Sequence, residues 1–509
     1  MPLPPRAPPE ILLTVVDHLD QPDVIRLAHV SRSWRAAAMA HKTFYAFIRA
    51  SHLTSPTSID VFCSNLEYVL GRRVRVALEV RYDPGAGSDD RDGSGLRLLA
   101  VIRLVFARIV RLDLDFTIGD NALNALGDAL QEPAPLIESL DLTVRLAGPT
   151  RMMPLSGSCL GGTASNLRSV RITGRYTLDP SFAPVFPSVR TLWIEGQWGN
   201  SMSCISGSFP GLTELNIKHL EIQRADRDDI PPVDTLFPHL RTLHMKPGYN
   251  NAPLPWRDMH TATMRIPSIS ATIGNSWVFE SYVPSLVQAI PAPVRLKVVS
   301  VRYNNLNADI SIEVNGGEIS RSFTFTALNT SLRAFESNRN PYHLSFAVRG
   351  IASRITHLYF SGRLVQYVAP AVAVHLHALQ RLEINLTGIY GPVCDELLFD
   401  FDLATQQKVD KPRFDEYAEK LQRAQGQNAD IPNAAAVTAV PLTLVVTSSR
   451  LRVWFPAHKV LQLALELRLD VRLGHAPVSI VLDELVLAEQ EDIELLRTVF
   501  LAVDNVESV

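Results

Sequence analysis

The sequence predicts an α/β protein in which three short N-terminal helices precede an irregular repeat solenoid built on a curved parallel sheet. Three observations predict it. Apolar residues recur at helical spacing between Glu10 and Ala38, interrupted by residues that break or cap helices. One nine-residue phrase is written three times, as FPSVRTLWI (Phe186 to Ile194), FPGLTELNI (Phe209 to Ile217) and FPHLRTLHM (Phe237 to Met245). A looser pattern, aliphatic-x-x-aliphatic-x-apolar, recurs through most of the remaining chain. An array whose units bury their apolar sides against their neighbours requires such repetition.

At 509 residues the chain can bury a large core, and 46% hydrophobic with 20% charged residues is an ordinary globular composition. The formal net charge of -3, without a Lys/Arg cluster interleaved with aromatics, argues against nucleic acid as a partner. Cys63, Cys159, Cys204 and Cys394 lie far apart with no C-x-x-C pair, so reduced thiols are expected, with neither a zinc site nor a disulfide framework. No metal and no cofactor are expected. The N-terminus lacks a charged segment followed by an uninterrupted apolar one, and no apolar run approaches the ~18 residues that span a bilayer. The expectation is an intracellular protein, cytoplasmic or nuclear, with no membrane partner. Asn329 and Asn385 begin N-x-[ST] sequons that read as chance matches in that setting.

Pro8-Pro9 can start a helix but cannot lie inside one, because proline lacks the N–H donor and its ring clashes with the preceding turn. A helix is therefore expected from about Glu10, with Ile11, Leu12, Val15, Val16 and Leu19 on one broad face. Asp20-Gln21-Pro22-Asp23 ends it. Asp23 is expected to cap a second helix carrying Val24, Leu27 and Val30, and Ser31 a third carrying Trp34 and Ala36 to Ala38. A helical piece of ~40 residues buries too little apolar surface to stand alone. Its apolar faces either cap the rest of the chain or meet a partner.

In order and spacing this segment resembles the F-box, whose pattern reads L-P-x-E-[IL]-L-x-x-I-x-x-x-L and then D-[LV]-x-x-L-x-x-V-[SC]-[RK]-x-W-[RK]. The chain supplies Pro8, Pro9, Glu10, Ile11, Leu12, Val15, Leu19, Asp23, Val24, Leu27, Val30, Ser31, Arg32, Trp34 and Arg35 at matching positions. The downstream aromatic-aliphatic step appears as Phe44-Tyr45 and Phe47-Ile48, and Ala7 stands where the family usually has leucine. The resemblance implies binding to the Skp adaptor of SCF-type cullin–RING ubiquitin ligases. It makes Pro9, Ile11, Leu12, Val15, Leu19, Val24, Leu27, Val30 and Trp34 the adaptor-binding candidates, with Trp34 also anchoring the helices internally.

The looser pattern begins at Ile109, Ile137, Leu167, Val189, Leu212, Leu240, Ile266, Leu296, Ile355, Leu379 and Leu482. At this hydrophobic content a three-position match arises by chance at roughly one start in ten. The weight therefore rests on the FP phrases, 23 and 28 residues apart. The 59-residue gap from Leu296 to Ile355 leaves room for two degraded units. These segments resemble the irregular leucine-rich repeats of fungal F-box proteins, although the asparagine that usually follows the strand is mostly absent and unit lengths vary. Each unit reads as a short parallel strand and a helical or irregular return. In DNALNALGDALQ, Asp120 is expected to cap a returning helix whose Leu123, Leu126 and Leu130 face inward. The expected organisation is an F-box over 1–50, a helical or loop connector and N-terminal cap over 51–108, and repeats over 109–394. A polar insertion or linker follows over 395–440, then the last repeats and a C-terminal cap over 441–509, where Leu485 to Val503 pairs a last strand with an amphipathic helix.

Strand alternation predicts which side chains leave the sheet on the side opposite the core. With Leu112 and Leu114 inward, Asp113 and Asp115 project. The same phase exposes Asp141, Thr143, Arg171, Thr173, Trp193, Glu195, Asn216, Lys218, His244, Lys246, Tyr359, Ser361, Glu383 and Asn385. The order runs from acidic through aromatic to basic. The candidate target-binding residues are Asp113, Asp115, Arg171, Trp193, Glu195, Asn216, Lys218, His244, Lys246, Tyr359 and Glu383, with a merely solvated face as the alternative. Trp193, the side chain least at ease in water, is the best single candidate.

Three motifs lack the context their chemistry needs. Gly85-x-Gly87, in the polar loop from Asp83 to Gly95, has Asp90 where a dinucleotide fingerprint needs its third glycine. Gly157-Ser158-Cys159-Leu160-Gly161 mimics a nucleophile elbow without the required strand-to-helix turn, and His375-x-His377 has no third ligand. The expected role, implied by the F-box resemblance, is a non-catalytic substrate receptor that joins a cullin ligase through the Skp adaptor and brings it an unidentified target protein. The alternatives are a repeat scaffold with no ubiquitin role and, third, a hydrolase using Cys159.

Overall fold

Helix starts in the N-terminal segment follow its prolines and short polar side chains. Pro9 opens α1 (Pro9–Asp17), and α2 (Gln21–Leu27) and α3 (Arg32–Ala40) follow. The Asp20 carboxylate accepts the Asp23 N–H at 3.0 Å, so Asp20 caps α2, and Asp23, expected as the cap, lies within the first turn. Pro22 explains the shift: proline fits the first turn of a helix, which places the cap ahead of it. The Ser31 hydroxyl accepts the Trp34 N–H at 3.3 Å and caps α3 as expected. Val16, Val24, Ala28 and Ala38 form a small buried core, with Leu19, Leu27, Trp34 and Phe44 packed around it.

The computed structural model describes residues 8–53, 55–72, 74–83, 93–146, 152–155, 158–162, 164–178, 186–198, 202–222, 237–246, 266–273, 286–288, 290–304, 307–326, 351–361, 376, 378–386, 415–421, 423, 441–447, 453–454, 457–467, 469, 478–483, 485–486 and 490–506. Residues 84–92, His375, His377 and most of the expected 395–440 insertion lie outside them. The chain divides into two units, Met1–Asp258 and Met259–Val509. It is α/β, with a helical N-terminus followed by extensive sheet and interspersed helices. Among the described residues no helix is long and apolar enough to cross a membrane.

In the first unit the chain passes through a short 3-10 turn (Lys42–Tyr45) directly into β1 (Phe47–Leu53). It continues through α4 (Pro56–Arg72), β2 (Val76–Tyr82), α5 (Ser94–Val105), β3 (Ile109–Ile118), α6 (Asp120–Ala129), β4 (Ser139–Leu146) and β5 (Met153–Leu155). Then come β6 (Ser169–Leu178), β7 (Thr191–Trp198), α7 (Met202–Ser208), β8 (Glu214–Ile222) and β9 (Thr242–Lys246). Strands β1 to β4 and β6 to β9 pair in sequence order, all parallel, with β4 beside β6 and β5 taking over along the end of β6. The sheet thus begins two strands before Ile109, with β1 starting at the end of the expected F-box and β2 inside the stretch expected to be a helical or loop connector. Gly119 is the N-cap of α6 and Asp120 its first helical residue, so the helix starts one position earlier than expected, while Leu123, Leu126 and Leu130 are buried as expected.

The FP phrases are turn-plus-strand units. The N–H of Val189, Leu212 and Leu240 donates to the carbonyl of Phe186, Phe209 and Phe237 at 3.3, 3.3 and 3.1 Å. Proline at the second position has the φ such a turn needs. The three phenylalanines are buried, and the Phe186 and Phe209 rings stack with centroids 5.2 Å apart. Just before each strand one backbone bond recurs: Arg168 to Glu138, Arg190 to Arg168, Thr213 to Arg190 and Arg241 to Thr213, each 2.8 Å.

The second unit is mixed. It contains β10 (Ser268–Ile273), β11 (Val294–Asn304), β12 (Asn307–Gly316), β13 (Ile319–Thr326), β14 (Ile355–Ser361), β15 (Arg381–Asn385) and β16 (Leu442–Thr447). After these come β17 (Val453–Trp454), α8 (Ala457–Glu466), β18 (Val478–Asp483), β19 (Leu485–Val486), α9 (Gln490–Arg497) and β20 (Ala502–Val506). Strand β10 pairs parallel with β13, and β12 is antiparallel to both β13 and β11. From β11 the pairing runs parallel through β14, β15, β16, β18 and β20. Where the spacing left room for two degraded repeats, the described residues therefore hold an antiparallel meander. Leu482 lies near the end of β18 rather than opening a strand, and α9 leads into β20, so the expected C-terminal cap carries a further parallel strand.

Candidate functional site

Two surfaces of the first unit hold most of the residues singled out by the sequence. On the N-terminal helices the apolar face of α1 divides: Leu12 and Val16 turn inward, whereas Ile11 is 56% exposed and Val15 is exposed beside it. Val24 is buried and its neighbour Ile25 exposed, because adjacent helical residues point about 100° apart. Val30 is 65% exposed, Pro9 is exposed, and Leu19, Leu27 and Trp34 are half-buried. Of the adaptor candidates, then, Leu12 and Val24 belong to the interior. Ile25 and Met39 are exposed apolar side chains that the face assignment passed over. Among the described residues twelve large apolar side chains are exposed, and six of them (Ile11, Val15, Ile25, Val30, Met39, Phe47) lie before residue 49.

The helices are braced from within. Arg35 Nε donates to the Ala28 carbonyl at 2.9 Å, and His41 Nε2 lies 2.7 Å from Asp17 Oδ1. The Thr43 N–H donates to His41 Nδ1 at 3.3 Å, which assigns the ring proton to Nε2 and makes that nitrogen the donor to Asp17. The Gln21 amide donates to the carbonyls of Phe44 (2.9 Å) and Phe47 (2.6 Å), and the Ala77 N–H donates to Ala46 at 2.7 Å. The helices are thus bonded to the first strands of the sheet.

The second surface is the sheet face opposite the core. Parallel register sets Arg49, Glu79, Asp113, Asp141, Arg171, Trp193, Asn216 and His244 in one row across β1 to β9. Two residues further along each strand, Arg81, Asp115, Thr143, Thr173, Glu195, Lys218 and Lys246 form a second row. Most charges pair. Glu79 is buried and held by Arg49 (3.0 Å) and Arg81 (3.3 Å), and Asp115 meets Arg145 at 2.7 Å. Glu195 meets Lys218 at 2.7 Å, and Arg171 reaches Asp141 at 3.9 Å. Trp193 is 41% exposed, with the Arg171 guanidinium 5.5 Å from its ring centroid. Asn216, expected to project, is buried and donates to Glu214 at 2.8 Å; His244 lies 4.0 Å from the same carboxylate.

The acidic end of the row is electrostatically costly. Burial, and then the Glu79 carboxylate, raise the Asp113 pKa. Burial, and then Asp113, push Asp141 up to about 6, against the opposing Arg171. Glu79, Arg49 and Arg81 lie on strands that match neither the FP phrase nor the looser pattern. The alternation Val76-x-Leu78-x-Val80-x-Tyr82 was the available signal. Tyr359 and Glu383 lie in register on β14 and β15 of the second unit. There Lys297 sits 5.9 Å from the Tyr359 ring and Asn385 donates to its hydroxyl at 2.8 Å, while Glu383 lies 3.4 Å from Arg381.

Cys159 is buried, and burial pushes its thiol up to about 12. A nucleophilic cysteine needs the opposite shift, toward thiolate. Among the described residues no group of three or more His, Cys, Asp or Glu side chains could hold a metal ion.

A family model described as F-box-like matches residues 8–48, from the start of α1 into β1. No curated protein matches the chain. The chain thus carries an F-box-like domain at residues 8–48, a type of domain that generally binds Skp-family adaptors.

Proposed function

We propose that the chain is the substrate-recognition subunit of an SCF-type ubiquitin ligase, its N-terminal helices binding a Skp-family adaptor and its sheet holding a target protein. The F-box-like match over residues 8–48 carries this reading, and the six exposed apolar side chains in that stretch support it. The turn-plus-strand units are of the irregular leucine-rich-repeat kind, a solenoid whose open sheet face is the receptor surface. The protein itself performs no catalysis. It works by effective concentration, keeping a target beside the ligase's ubiquitin-loaded enzyme. The raised thiol of Cys159 supports the non-catalytic reading over a cysteine hydrolase.

The test is co-purification of a Skp-family adaptor and its cullin with the full chain, beside an Ile11→Asp/Val30→Asp variant. Both positions are exposed, so the fold should tolerate the charges. The expected result is recovery with the parent chain and loss of at least ~10-fold with the variant, whose far-UV spectrum is unchanged. Equal recovery from both, or from neither, would leave the helices as the N-terminal cap of a scaffold with no ubiquitin role.

A further inference from the structure

The outward face of the first unit is patterned in a way that selects a target. Its ion pairs cancel most of its charge, but among the described residues Asp113 on β3, with Arg81 and Arg111 nearby, and Lys246 on β9 make no ion pair within 4.0 Å, and Trp193 on β7 is exposed between them. Neighbouring strands lie ~4.8 Å apart. The Trp193 strand is three spacings from β3 and two from β9, and Lys246 lies two residues further along its strand, so about 14 Å and about 12 Å separate the aromatic from the two ends. An extended chain covers ~3.3 Å per residue, which converts these spans to about four and about three to four residues.

We propose that this face binds an extended segment of a target protein crossing the strands, with a basic side chain on Asp113 and Asp141, an apolar one on Trp193 about four residues away, and an acidic one on Lys246 about three to four residues beyond. The proposal rests on the sheet being the target-holding surface and names the chemistry of what it holds. Charge complementarity chooses the occupant. Asp113 and Asp141 sit in register on adjacent strands; Arg171 lies 3.9 Å from Asp141, and Arg81 and Arg111 also act on the pair without offsetting its burial and mutual repulsion, so a further cation relieves that repulsion. The Trp193 ring, with Arg171 beside it, offers the apolar anchor at the centre.

The test uses the full chain without adaptor and a fluorescein-labelled peptide Arg-Ser-Ser-Ser-Leu-Ser-Ser-Glu, read by fluorescence anisotropy. Saturable binding is expected, weakened at least ~10-fold by Trp193→Ala and largely retained by Trp193→Phe, which guards against a folding defect. Lys246→Glu should lose affinity for this peptide and regain it for the one ending in Lys. No binding up to millimolar peptide, an unchanged Kd in Trp193→Ala, or failure of the charge-swapped pair to recover would overturn the proposal. Adaptor recovery by the same variants should stay at the parent level. A failed adaptor experiment with intact peptide binding would therefore fall on the ligase reading alone.

Discussion

Asp141 concentrates the cost of the polar sheet face in one side chain. Folding raises its carboxyl from 3.8 to about 6, so the folded state holds the proton more tightly than the unfolded chain does. The fold therefore gains from this group as pH falls from about 6 towards 3.8, and loses that contribution as pH rises through about 6. A rise of that size costs the ionised form at most ~3 kcal/mol. With 28% of the side chain exposed, solvent screening brings this to about 1 kcal/mol. Asp141→Asn should accordingly be more stable than the parent at pH 7.5, with the difference shrinking as pH falls through about 6 and vanishing below 3.8. Urea denaturation at several pH values checks it, and a difference that does not change with pH would sink the assignment. Alternation placed Asp141 and Asp113 correctly on the outward face, but their mutual repulsion was not legible. It depends on which strands become neighbours and in what register.

At the scale of elements, the close approach of β6 and β7 rests on two glycines. Gly174 and Gly196 face each other in register with φ of 137° and 112°, and a Cβ on Gly196 would lie 2.1 Å from the Gly174 carbonyl oxygen. Gly196→Ala should therefore destabilise the first unit by at least ~2 kcal/mol, combining left-handed strain with a backbone clash. Gly127 in α6 has open space around it, and Gly127→Ala there should stabilise by ~0.5–1 kcal/mol. Thermal melts of the two variants should move in opposite directions; a shared direction would refute the account. Legibility follows the same local physics. Strands behind an F-P turn were readable, because a buried aromatic, a φ-restricted proline and an alternating run coincide at one place. The β12–β13 hairpin went unread although Asn315-Gly316-Gly317 interrupts two alternating runs, a strong hairpin signal. Gly317 adopts φ 59°, the left-handed first position of a tight two-residue turn.

For the first unit as a whole, the decisive feature is that its N-terminal helices and its sheet share hydrogen bonds and have no linker between them. The F-box-like match ends at residue 48, already inside β1, so the adaptor face and the target face of the proposed receptor belong to one continuous body. Neither composition nor periodicity reveals this, because the side-chain bonds at the junction come from Gln21, unremarkable in the sequence, beside the backbone bond from Ala77 to Ala46. The Gln21 amide donates to both the Phe44 and Phe47 carbonyls, spanning the exit from the helices. Gln21→Ala removes both bonds and should cost about 1–2 kcal/mol, since each of these incompletely buried bonds is worth ~0.5–1 kcal/mol net. Because the loss falls on the junction, it should appear as local opening rather than uniform loosening. Amide hydrogen exchange read by mass spectrometry should speed up roughly 5- to 30-fold in peptides from α1 to β1, while peptides from β3 to β8 keep the parent rates. Exchange that rises equally across the unit, or nowhere, would mean that Gln21 does not couple the helices to the sheet. If the expected pattern is found and the proposed receptor role holds, the same variant in a reconstituted ligase should recover the adaptor normally but transfer ubiquitin to a bound target more slowly, because the reach of such a complex would depend on this junction holding its angle.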